Sequence, residues 1–165
     1  TVVKASGVAA PSALDGMALD GPLERSLLFA EHNAHGANEL YPCRSVFDGR
    51  FRYIRNLTPE KEYPFIADAR DNSPRWDNRA FVATEAARES FPLQYELIGK
   101  TVKRPAEELY DTASDPFEMR DLAGDGRFVG PKRRLAGALE EWRRRTGDGG
   151  VEGLAGFSGK LEGGA

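Results

Sequence analysis

Residues 29–49, FAEHNAHGANELYPCRSVFDG, contain both histidines of the chain, its single cysteine, two glutamates and an arginine. Three chemistries suit those residue types. The first is a metal site: His32 and His35 lie three apart, with Glu31 and Glu39 nearby. Zinc requires three or four converging ligands, and imidazoles at that spacing share a face only on a helix. Asn33, Gly36 and Asn38 instead predict a loop leaving the strand LLFAE, where odd spacing throws the rings apart. The second is a nucleophilic Cys43 with His32 or His35 as base and Glu39 as orienter, which requires the three to meet in space. Cys43 follows Tyr41-Pro42 at the start of a predicted strand, where cysteine serves as a small buried apolar residue. The third is ligand binding, since loops at sheet edges carry binding groups and imidazoles donate hydrogen bonds. Arg44 has two readings that the sequence leaves open: it pairs with an anionic ligand group, or it satisfies a buried carboxylate.

These residues need a scaffold, and 165 residues suffice for one compact domain with tails. A balance of 26 acidic against 23 basic side chains gives a formal charge of −3, with no field favouring nucleic acid or an anionic membrane. No apolar run reaches the length of a membrane span. One cysteine makes no internal disulfide, so cysteine usage leaves the compartment undetermined. The start, TVVKASGVAAPSALDG, lacks an initiator methionine and the basic end and apolar block of a signal peptide. It reads as a start within a larger fold, residues 1–6 being the last turns of a helix.

The periodicities predict an antiparallel sheet with strands at 27–31, 41–47, 51–57 and 108–111. Asp48-Gly49 is the signature of a two-residue type I′ hairpin turn. In the arm after it, Phe51, Tyr53 and Arg55 alternate with Arg52, Ile54 and Asn56, so neither face is purely polar. In PKRRLAGALEEWRRRTG the residues Leu135, Ala138, Leu139 and Trp142 form one stripe, predicting an amphipathic helix over 132–145 with Pro131 at its first position. Its basic ends read as a solvated face. The run DNRAFVATEAARESF has helical spacing with Asp77 or Asn78 as cap, and Asp115-Pro116-Phe117-Glu118 reads as a capping box opening a short helix. Residues 7–24 are turn-rich and predict an irregular connector. Eight of the 18 glycines fall in the last nineteen residues, which predicts a flexible tail over 147–165.

Several segments taken in order resemble the C-terminal third of a type I sulfatase: ALDGMALDG, LLFAEHNAHG, YPCRSVFDGRFRYIRNL, ELYDTASDPFEMRDLAG and LAGALEEWRRRTGD. The similarity is greatest to the heparan N-sulfatase (sulfamidase) branch. The resemblance implies an α+β, alkaline-phosphatase-like C-terminal subdomain over 25–146, a four-stranded antiparallel sheet packed against the last helix. Residues 1–24 would be the end of the large α/β domain and a connector. It further implies hydrolysis of sulfate esters or sulfamates of a sulfated carbohydrate, with a formylglycine made from Cys-x-Pro-Ser-Arg beside a calcium ion. Neither motif is present here: PCRS at 42–45 has the letters in the wrong order, so Cys43 is not the formylglycine precursor. Both cofactors, and with them the catalytic residues, are expected in an N-terminal sulfatase domain that would be this chain's partner. His32, His35, Glu39 and Arg44 are the substrate-binding candidates. His35 fits the family's position best, and Glu39 departs from its pattern. The family also implies a periplasmic or secreted protein.

Overall fold

A computed structural model of the chain describes residues 2–9, 25–34, 40–61, 88–93, 95–97 and 103–154. A short helix, α1 (Val2–Ala5), ends at Gly7 with φ 72°. Four strands follow: β1 (Leu28–Ala34), β2 (Leu40–Phe47), β3 (Phe51–Asn56) and β4 (Glu107–Asp111). They form one antiparallel sheet in sequence order. A long helix, α2 (Val129–Thr146), closes the architecture. This is the expected α+β fold, a small antiparallel sheet with one C-terminal helix.

Alternation along paired strands decides what each face carries. The register pairs Phe29 with Val46, Val46 with Tyr53 and Tyr53 with Leu109, so these four share a face. That face meets α2: Val46, Tyr53, Leu109, Leu135 and Leu139 are all at most 1% exposed and form the core with Phe51 and Leu122. Of the stripe read from sequence, Leu135 and Leu139 are buried, while Ala136 rather than Ala138 packs against the core. Trp142 extends it by stacking on Phe29, with ring centroids 5.2 Å apart. Pro131 lies in the first turn of α2, where a missing N–H breaks no intrahelical bond. The basic residues of α2 meet carboxylates: Lys132 with Glu107, Arg134 with Asp48, Arg143 with Glu140 and Asp148, and Arg144 with Glu141.

Four local expectations change. The hairpin turn is not type I′, which needs positive φ at both central residues; Gly49 has φ 93°, whereas Arg50 has none. Gly49 alone at the first central position is the type II′ pattern, and Asp48 Oδ1 accepts from the N–H groups of Arg50 and Phe51. Asp115 opens a turn rather than a helix. Its Oδ2 accepts from Arg120 N–H, and Glu118 adopts φ 54° and pairs with Arg52 instead of returning to a cap. Strand β1 runs three residues beyond Glu31, because its pairing with β2 continues to Ala34 opposite Leu40. Finally, ordered structure continues past Gly147 at least to a 3-10 turn at Glu152–Leu154. The predicted helix around residues 78–91 lies almost wholly outside the described residues, as do residues 155–165.

Candidate functional site

Strand β1 lies at the edge of the sheet, and the register sets His32 opposite Cys43. Both therefore lie on the face away from α2, with Ala30, Ser45 and Ile54. His32 is a strand residue rather than the loop residue predicted, since the ladder holds through it and shifts register only between His32 and Ala34. Its ring has no hydrogen-bond partner among the described residues. His35 and Glu39 lie outside the described residues.

Histidine and cysteine do meet across the ladder, yet they make no nucleophile. No hydrogen bond joins them, and burial raises the Cys43 thiol above its ordinary pKa, the reverse of what a thiolate nucleophile requires. Among the described residues no group of three or more His, Cys, Asp or Glu could hold a metal ion. The zinc reading finds no support there, and the described residues do not fit the calcium or the formylglycine that the resemblance implies.

Arg44 takes the second of its two readings. Its register partner is Arg55, on the α2 face, and its side chain is 2% exposed. Nε and Nη2 donate to the two oxygens of Asp148 at 2.8 and 2.7 Å, a bidentate pair. Nη1 donates to the carbonyl oxygens of His32 at 3.2 Å and Cys43 at 2.9 Å. With its side chain buried and four of its five N–H donors engaged within the chain, Arg44 here satisfies a buried carboxylate.

Asp148 is the residue that sequence reasoning missed, having placed it in the tail. Its side chain is 6% exposed and also accepts from Arg143 Nε at 2.8 Å and from Gly150 N–H at 3.0 Å. The Arg44 bonds first, then Arg143 and the Gly150 amide, hold its carboxyl far below the usual carboxylate range. The available signal was a single acid directly after a Gly that ends a basic helix. Gly147 has φ 69°, which turns the chain back so that Asp148 reaches the sheet.

The same alternation builds a second polar set on the α2 side. Tyr53 OH donates to Glu107 Oε1 at 2.6 Å, and burial with that bond pushes the phenol up to about 12. An open groove of about 810 Å³ beside Phe29 and Trp142 also lies on this side, away from His32.

Against known proteins, the chain is 34% identical over 125 residues to an ulvan-active sulfatase of Formosa agariphila, covering 76% of this chain and 20% of that protein. This chain aligns with a small C-terminal part of sulfatases. Human N-sulphoglucosamine sulphohydrolase is 29% identical over 121 residues, 73% of this chain and 23% of that enzyme. The chain thus spans about a fifth of the length of the curated sulfatases it matches. Solved structures share the fold: a 2-O GAG sulfatase (TM-score 0.57) and a putative sulfatase from Bacteroides thetaiotaomicron (0.58) are each 17% identical, covering 90% of this chain and 24% of theirs. A protein solved with its substrate D-glucosamine-2-N,6-O-disulfate has a TM-score of 0.51 at 16% identity, with coverage of 89% and 23%. No family model matches the chain.

Proposed function

We propose that this chain forms one wall of the substrate cleft of a sulfatase that hydrolyses sulfate esters or N-sulfate groups of a sulfated sugar. His32, with His35 and Glu39 after it, supplies substrate-facing groups, while the formylglycine and calcium belong to the large sulfatase domain. The observation that carries this reading is the His32 ring. It stands half-buried at the edge of the sheet, on the face opposite α2, with no hydrogen-bond partner among the described residues. An imidazole in that state donates to a hydroxyl or sulfate oxygen, more strongly when protonated. The names of the relatives favour a sulfated carbohydrate as ligand.

Purified alone, the chain is expected to release no sulfate from an aryl sulfate or from N-sulfoglucosamine, because burial raises the Cys43 thiol and no described residue activates it. Turnover that Cys43→Ala abolishes would overturn this division of labour.

A further inference from the structure

We propose that Arg44, held by Asp148, is a positioning residue that fixes the His32 end of β1. This rests on the reading of His32 as a substrate-facing group. Four of the five guanidinium N–H donors are committed: two to Asp148 and two to the carbonyls of His32 and Cys43. Those carbonyls belong to cross-strand partners, and immediately beyond them the β1–β2 ladder shifts register. Such an irregularity re-aims the strand, and on an edge strand only one neighbour restrains it. Arg44 supplies the second restraint from the α2 face. A lysine would not do so, because one ammonium cannot pair bidentately with Asp148 and span two carbonyls in a fixed plane. Asp148 orients the fork, and is itself fixed by Arg143 of α2 and by Gly150. The end of the helix, the turn after it and the strand bearing His32 are thereby joined through one carboxylate.

The test replaces the pair by apolar residues of similar size, Arg44→Met with Asp148→Leu, so that no buried charge is left unpaired. Amide exchange followed by NMR on the full chain is compared at 32–34 and 43 and at 52–55 and 108–110. The expected result is that protection falls by about tenfold or more at the first set and holds at the second. Affinity for D-glucosamine-2-N,6-O-disulfate, used as the probe, should fall about tenfold with it. If the double variant does not fold, Arg44→Lys in the same comparison gives the readout. Unchanged protection at 32–34 in the folded variant overturns the proposal. Lost protection with a probe that does not bind even the parent chain supports the positioning role and removes the sugar reading instead.

Discussion

Removing the Asp148 carboxylate leaves the buried Arg44 guanidinium with only the exposed Glu31 carboxylate, 3.8 Å away, as counter-charge. Asp148→Ala should therefore cost about 3–5 kcal/mol in urea unfolding, far more than loss of an exposed pair such as Arg144 with Glu141. The sign with pH follows from the depressed carboxyl. Its folded pKa lies below the unfolded value, so the stabilisation is complete above about pH 5 and is lost as pH falls through the folded value. Urea midpoints should hold from pH 7 to about 5 and drop by pH 3. Tyr53 runs the other way: its pKa is raised to about 12, so its contribution is full below about pH 10 and is lost as pH rises through 12. Ultraviolet titration of Tyr53→Phe should show one late-ionising phenol fewer than the parent, while Tyr110 and Tyr41, which burial also raises, remain late. The two readings of Arg44 were both visible in the sequence. The choice between them was not, because the deciding partner lies 104 residues away and no local period encodes such a contact.

At the scale of elements, the sheet and α2 were legible because alternation and the 3.6-residue stripe are written into residues that are now core. Leu139, fully buried against the sheet, should cost about 2–5 kcal/mol when cut to alanine, read as a shift in urea midpoint at constant slope. Gly147→Ala forces a Cβ into left-handed backbone at φ 69° and should cost about 1 kcal/mol. It should also loosen Asp148, which follows it. Less legible were the ends. The length of β1 depends on its pairing with β2, the turn at Asp48 on which central residue takes positive φ, and the segment at Asp115 on the attraction of Glu118 to Arg52.

Taken whole, the molecule is a sheet with one face closed by α2 and the other bearing His32 and Cys43. The charged and aromatic groups divide between those faces: Arg44 and Asp148 are sealed on the α2 side, and His32 stands on the other. The sequence grouped His32 and Arg44 in one candidate site, and the pleat separates them. The most direct measurement is a titration of the isotope-labelled chain with D-glucosamine-2-N,6-O-disulfate. The account predicts saturable shifts centred on His32 and its neighbours in β1, with affinity about tenfold weaker in His32→Ala. Shifts confined to the groove at Phe29 and Trp142, or affinity unchanged in His32→Ala, would contradict it.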